Sequence, residues 1–232
     1  MRTAIIIPAR IGSTRLPRKM LADVNGKTLI ERCVDCAIEA VNGGAADELF
    51  VACDSEEIAV LVRKQGVEAI LTDEALPSGT DRVYQGLQRS GKKFDVVVNV
   101  QGDQPNFDPT IIGAIIAKLD GADITTPVAQ LRAGEAENMD VVKAIVASND
   151  QGLYFTRHNV PHGMHHLGIY AYQVPAMARF VALPPSPLEK LERLEQLRAL
   201  ENGMIIKVAE VKNIPISVDN ASDLERARAE KY

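Results

Sequence analysis

Several features are scarce in this 232-residue chain, and each scarcity excludes something. There is no basic surplus: 26 Lys and Arg stand against 31 Asp and Glu, a formal net charge of -5. General nucleic-acid binders usually carry the opposite imbalance. Long apolar runs are missing, and the longest are strand-length, too short to cross a membrane. The opening MRTAIIIPARIGSTR has an apolar run too brief for a secretory signal and is followed by charge, so a cytoplasmic protein is expected. Cysteine is limited to Cys33, Cys36 and Cys53. Cys33 and Cys36 have the C-x-x-C spacing of a redox motif or half a zinc site. A second pair is lacking, however, and the four histidines are grouped at 158–166. Buried, inert thiols in a reducing compartment are the better reading. G-x-x-x-x-G-K-[ST] and G-x-G-x-x-G are both absent, which removes the P-loop and the dinucleotide fingerprint. The composition, 46% hydrophobic and 25% charged, is that of an ordinary globular protein long enough to bury a core.

The apolar pattern alternates between short β-branched runs and amphipathic segments. Strands are predicted at Thr3–Pro8, Glu48–Cys53, Val67–Leu71 and Asp95–Val100. Helices are predicted at Thr28–Val41, Ser55–Gln65, Gly79–Arg89 and Pro109–Leu119. This alternation implies an α/β fold with a mostly parallel sheet flanked by helices. After residue 120 the rhythm changes. Strands at Asp123–Pro127, Val141–Ala147, His166–Gln173 and Ile205–Val211 suggest a smaller mixed or antiparallel lobe, placed at 120–185 within a single domain 1–232. Ser186–Asn202 reads as one helix, opened by a Ser186/Glu189 capping box with Pro187 at its first position. Leu188, Leu191, Leu194, Leu197 and Leu200 run along it. Ala221–Lys231 reads as a terminal helix.

Ligands of parallel α/β sheets bind outside the carboxyl ends of the strands, and the unusual residues lie there. Residues 2–22 hold five cations (Arg2, Arg10, Arg15, Arg18 and Lys19) and no acid. With Gly12 and Ser13 among them, the loop suits a polyphosphate. A solvated basic turn is the alternative, and charge and position alone do not choose between them. Asp103, in Asn99-Val-Gln-Gly-Asp103, follows a buried strand and suits Mg²⁺, which takes few protein ligands. Asp219, after Ser217-Val218, could share that ion. A turn or cap is the bland alternative for each acid, and Asn220 or Ser222 could cap the last helix. Ser78-Gly79-Thr80 offers hydroxyls and close backbone to a flat ligand, or is simply a helix start. His165 and His166 are adjacent on a strand and face opposite ways, which disfavours a shared metal.

In combination these segments resemble the bacterial 3-deoxy-manno-octulosonate (Kdo) cytidylyltransferases, the CMP-Kdo synthetases. The matching motifs run in order through the chain: Ile7-Pro-Ala-Arg10, Ser13-Thr-Arg-Leu-Pro17, Lys19, Ser78-Gly-Thr80, Asn99–Asp103, Tyr154-Phe155, Arg157, His166-Leu-Gly-Ile-Tyr170, Pro185–Glu189, Leu194-Glu-Gln-Leu-Arg198 and Val218-Asp219. The resemblance implies a Rossmann-like fold of the nucleotide-diphospho-sugar transferase type and a homodimer with the smaller lobe at its interface. Arg10, Ser13, Arg15 and Lys19 would hold the triphosphate of CTP. Pro8, Ala9, Ser78, Gly79, Arg82 and Gln101 would surround cytosine and ribose. Asp103 and Asp219 would carry Mg²⁺, and with Arg10 and Lys19 would be the catalytic set. Arg157, His166, Tyr170, Glu195 and Gln196 would surround the sugar acid. The implied reaction joins CTP to Kdo or a close 3-deoxy-ulosonic analogue for lipopolysaccharide synthesis, with pyrophosphate released. An 8-amino-Kdo, a sialic-acid-like sugar, a polyol phosphate, or a binding protein without catalysis are the competing readings. Three positions depart from the family pattern: Gln104 stands where Glu is usual, Asn220 where Thr is usual, and the connection from Pro161 to His166 is short.

Overall fold

The computed structural model describes residues 1–13, 15–160 and 162–230. Thr14 of the cationic loop, Pro161 of the short connection and Lys231 of the terminal helix lie outside the described residues. The chain forms two compact units, one of residues 1–112 and 215–232, the other of residues 113–214.

In chain order the first unit contains β1 (Thr3–Ala9), a short hairpin of β2 (Asp23–Val24) and β3 (Lys27–Thr28), α1 (Leu29–Asn42), β4 (Glu48–Cys53), α2 (Glu56–Lys64), β5 (Glu68–Leu71), α3 (Gly79–Arg89) and β6 (Val96–Asn99). The helix starts follow from side-chain chemistry. Thr28 and Glu31 form a capping box on α1, and Ser55 and Ser78 accept the Glu57 and Asp81 N–H groups at the starts of α2 and α3. Those bonds satisfy donors that a helix start leaves orphaned. The four long strands are parallel, in the order β5-β4-β1-β6. Every residue of β1 and β6 is buried, which explains why both read as unbroken apolar runs. The strand order reverses between β1 and β6, so their loops flank the switch point where ligands of such sheets bind.

Gly86 of α3 sits on this sheet. A Cβ there would lie 2.8 Å from the Ala52 Cβ on β4, an atom fixed to strand backbone. Gly86→Ala is therefore expected to lower stability by about 1–2 kcal/mol, because overpacking outweighs the helix-propensity gain. Urea unfolding would measure it, and a raised midpoint would show that the interface yields.

After α4 (Thr110–Ile116) comes the second unit: β7 (Ile124–Ala129), β8 (Lys143–Val146), β9 (Gly152–Thr156), β10 (Met164–His166), β11 (Tyr170–Gln173), α5 (Val174–Val181), α6 (Pro187–Glu192), α7 (Gln196–Glu201) and β12 (Ile206–Glu210). The mixed strand pairing expected after residue 120 is present. β12 runs parallel along one edge of β7, while β10 and β11 run antiparallel along the other. β8 joins β10 and β9 antiparallel. α8 (Ala221–Ala229) returns to the first unit, capped by Asn220 rather than Ser222.

Two expectations are corrected. The strand predicted at His166–Gln173 is split. His165 faces Ala129 and Ala171 faces Thr125, so six residues advance against four. The excess is a bulge at Leu167-Gly168-Ile169, with Gly168 at φ +68°. The helix predicted at Ser186–Asn202 is two short helices, broken at Arg193 in the left-handed conformation. Leucines spaced by three drift around a 3.6-residue helix and cannot share one face. Leu194 and Leu197 are buried, whereas Leu191 is 73% exposed. The capping box at Ser186 and Glu189 is present, and Arg198 closes the break by donating to both Glu189 oxygens at 2.8 and 2.5 Å. β9, α5 and the β2–β3 hairpin were not expected.

Candidate active site

One cavity of about 250 Å³ opens at the carboxyl ends of the first unit's strands. It is lined by Pro8, Ala9, Arg10, Ser13, Arg15, Lys19, Ser78, Gly79, Arg82, Gln101, Asp103 and Asp219. Every residue assigned from the sequence to the nucleotide or the metal is thus brought to one place. A larger cleft of about 780 Å³ lies elsewhere in this unit; its lining of Pro17, Leu21, Val60 and Leu61 includes Arg18, Glu56 and Glu57, but Arg18 is paired with Glu57 and none of the residues assigned to the nucleotide or metal is there.

The five cations near the N-terminus divide. Arg2 pairs with Glu48 and Arg18 with Glu57, and neither lines the cavity. Arg18 adopts the left-handed conformation at φ 55° and starts the turn that directs Lys19 inward. Lys19 is 8% exposed. Its ammonium donates to Asp103 Oδ2 at 2.8 Å and to Asp219 Oδ1 at 3.4 Å, and Arg15 reaches the same Asp219 oxygen at 2.7 Å. Arg10 is exposed and pairs with no acid among the described residues.

Backbone contacts bring the two acids together across the chain. The Val218 N–H donates to the Asp103 carbonyl at 2.9 Å, and the Ile216 N–H donates to Asn106 Oδ1 at 2.9 Å. Val218 is fully buried in a cluster with Val24, Leu29, Leu224 and Ala227. Since Asn220 caps α8, the Asp219 carboxylate is not consumed as a cap and faces the cations. Two carboxylates converging on one ammonium form an arrangement in which a divalent ion can take the ammonium's place.

The loop after β6 is held down from beneath. A Cβ on Gly102 would stand 3.0 Å from the Pro8 carbonyl and 3.3 Å from Met20 Sδ, so the close approach of this turn to β1 requires glycine. The Cys33 and Cys36 thiols donate to the Gln101 and Pro105 carbonyls at 3.3 and 3.5 Å. Burial pushes both thiols up, Cys36 to about 12, which keeps them protonated supports of the loop. Gln104 is buried, does not line the cavity and donates its backbone N–H to Gln101.

Sequence reasoning missed Asp54. It accepts the Ile11 N–H at 2.9 Å and pairs with Arg82 at 3.3 Å, both side chains almost wholly buried. Arg82 also donates to Thr72 Oγ1 at 2.6 Å. Burial lowers the Arg82 pKa, with Asp54 opposing that shift. Asp54 thereby ties the loop after β1 to α3, and only its place just after a predicted strand could have signalled it. The hydroxyls of Ser78 and Thr80 are also placed differently from expectation. Ser78 caps α3 and donates to Asp81 at 2.6 Å, and Thr80 is buried against Asn99. This segment therefore presents backbone and the start of α3 to the cavity.

The residues assigned to the sugar acid all lie in the second unit. The His166 and Tyr170 rings are 5.4 Å apart. Burial raises the Tyr170 hydroxyl far above its ordinary value, and Glu195 adds to that rise. Burial depresses His166 to about 3, with His165 and Arg157 contributing. Glu195 and Gln196 follow the break between α6 and α7, not the polar side of a continuous helix. The amide nitrogen of Gln196 is buried with no partner among the described residues. His165 turns the other way, to Glu135 at 2.9 Å.

Two buried charges around this cluster also escaped the sequence. Glu192 accepts from Tyr154 Oη at 3.2 Å, from Thr156 Oγ1 at 2.9 Å and from the Arg157 N–H at 3.2 Å. Lys143 is 0% exposed and donates to the Asn138, Val141 and Arg157 carbonyls at 2.7, 3.0 and 2.7 Å. Its ammonium fixes the backbone that carries Arg157. No helix among the described residues is long and apolar enough to cross a membrane.

Comparison with known proteins gives a consistent result. The cytidylyltransferase family matches residues 4–207. The chain is 47% identical to the 3-deoxy-manno-octulosonate cytidylyltransferase of Rhodospirillum centenum, covering 97% of this chain and 91% of that protein. It is 48% identical to the same-named protein of Brucella anthropi, covering 98% and 96%. The solved structure of CMP:2-keto-3-deoxy-manno-octonic acid synthetase complexed with CTP superposes with a TM-score of 0.91 at 32% identity, covering 99% of this chain and 98% of that one.

Proposed function

Because the chain belongs to the 3-deoxy-manno-octulosonate cytidylyltransferase family, we propose that it transfers CMP from CTP to the anomeric hydroxyl of Kdo. The first unit's cavity would take the nucleotide and the second unit's cluster the sugar acid. The observation that carries this reading is the convergence of Arg10, Arg15 and Lys19 with Asp103 and Asp219 on one cavity at the sheet's switch point.

In the reaction the anomeric oxygen bonds to the α-phosphorus of CTP, the bond from that phosphorus to pyrophosphate breaks, and the hydroxyl proton passes to solvent. The protein's work is positioning and charge compensation. Arg10, paired with no acid among the described residues, is placed to meet the triphosphate. Lys19 and Arg15 are shared between acids and phosphates, and on nucleotide binding their charge would move to the departing pyrophosphate. Gln101 and the start of α3 offer amide groups to base and ribose. Gln196, whose buried amide nitrogen has no partner among the described residues, offers a donor to a sugar oxygen. Asp103 and Asp219 suit Mg²⁺, which binds through one or two carboxylates and keeps waters and phosphate oxygens. When bound, Mg²⁺ supplies Lewis-acid polarisation of the α-phosphate.

The same reading makes the protein a cytoplasmic homodimer serving lipopolysaccharide synthesis, with part of the second unit at the dimer interface. Pyrophosphate release from CTP and Mg²⁺ in the presence of Kdo, 8-amino-Kdo, a sialic acid and a polyol phosphate tests the function. Release with Kdo and none with the sialic acid or polyol phosphate is expected. Release with neither Kdo nor its amino analogue, despite CTP binding, would refute the proposal.

A further inference from the structure

The bulge between β10 and β11 places three groups in a line that no sequence motif describes. Thr126, fully buried on β7, has its Oγ1 2.7 Å from the Ile169 carbonyl and 2.9 Å from His166 Nε2. A hydroxyl has one proton. The Ile169 carbonyl can only accept, so the Thr126 proton points to it, since two bare oxygens at that distance would repel. The contact to His166 must then run the other way, with Nε2 carrying the proton and Thr126 accepting it. The tautomer of a neutral imidazole is set by the bond its other nitrogen makes, so Nδ1 is left with a lone pair. The ring cannot easily turn, because Phe155 meets it edge-on at 5.0 Å and Tyr170 flanks it at 5.4 Å. Burial and the nearby Arg157 keep it neutral. Nδ1 has no hydrogen-bond partner among the described residues.

We propose that Thr126 is a positioning residue for the sugar acid: it locks His166 as the Nε2–H tautomer, so that Nδ1 accepts a hydrogen bond from a hydroxyl of the substrate. The proposal rests on the reading of His166 as a sugar-binding residue. It also divides the polar work of the cluster. A carboxylate has no proton to give to Nδ1, so His166 selects a hydroxyl, and the acid group must be met elsewhere, with Arg157 the cation of the cluster. The bulge at Gly168 has a purpose here: it turns the Ile169 carbonyl out of the ladder and onto Thr126.

Nitrogen-15 spectra of labelled imidazole, with His166 assigned from a His166→Gln sample, test the tautomer directly. A pyridine-type Nδ1 and a pyrrole-type Nε2 near neutral pH are expected, and the reverse pattern would overturn the proposal whatever the enzyme's substrate. Thr126→Val should then give a mixture of tautomers and raise the KM for Kdo about tenfold with the KM for CTP unchanged. Thr126→Ser should restore both. An unchanged KM for Kdo in Thr126→Val would refute the role even if the tautomer is as stated. If Thr126→Val fails to fold, Thr126→Ala, which also lacks the hydroxyl, takes its place in the same comparison, and the wild-type spectrum decides the tautomer. A wild-type enzyme with the expected spectrum that turns over no sugar acid would refute the substrate reading separately.

Discussion

Asp103→Asn is expected to lower kcat for pyrophosphate release by about 10²–10³-fold, the cost of losing a group that stabilises transition-state charge. The substitution keeps size and shape. The bond that holds Val218-Asp219 beside the loop uses the Asp103 carbonyl, not its side chain, so the cavity should stay assembled. Gly102 and the thiols of Cys33 and Cys36 hold the loop independently. Lys19 keeps Asp219 as a partner. The loss of stability should therefore be about 1 kcal/mol, and a thermal melt beside the kinetic assay separates the two effects. Turnover within a few-fold of wild type would sink the assignment of Asp103 to the metal.

Lys19→Met should have the next largest effect, with kcat down by about 10²-fold or more and the KM for CTP raised. Its second consequence has the opposite sign. In the free protein the Lys19 ammonium occupies the position between Asp103 and Asp219 that a divalent ion would need. Removing it leaves Arg15, at Asp219, as the only cation among the described residues that pairs with either carboxylate. Titration of the nucleotide-free protein with Mn²⁺ alone should therefore show tighter binding in Lys19→Met than in wild type. Metal binding that weakens would mean that Lys19 supports the carboxylates and does not compete for them.

Much of the first unit was legible in the sequence because its rules are local. β1 and β6 are buried along their whole length and β4 from Phe50 to Cys53, so their interiors must be mostly apolar. Ser55 and Ser78 mark helix starts because capping chemistry acts over two or three residues. The second unit was less legible for reasons that can also be named. Gly168 is compatible with a strand until pairing with β7 shows two residues in excess on its own side. The leucines from 188 to 200 look like one stripe until the helix must bury Glu192 beside Tyr154 and Thr156, and Arg193 turns left-handed. Among the cations, Arg2 and Arg18 could not be told from Arg10, Arg15 and Lys19, because an ion pair depends on which acid lies opposite. Asp54, Glu192 and Lys143 went unnoticed for the same reason. A buried charge is tolerated only through hydrogen bonds to groups distant in sequence.

By itself, the sequence determined the alternation of strand and helix, the capped helix starts, the acids and cations that gather at the strand ends, and the family to which their order belongs. These rest on periodicity and residue type, which are properties of short stretches. The tertiary structure alone decided which three of five cations line the cavity, that Asp219 faces Lys19 while Asn220 takes the cap, and which nitrogen of His166 carries the proton. Each depends on a partner brought near from elsewhere in the chain, and hydrogen bonds and ion pairs act only over the few ångströms that folding closes.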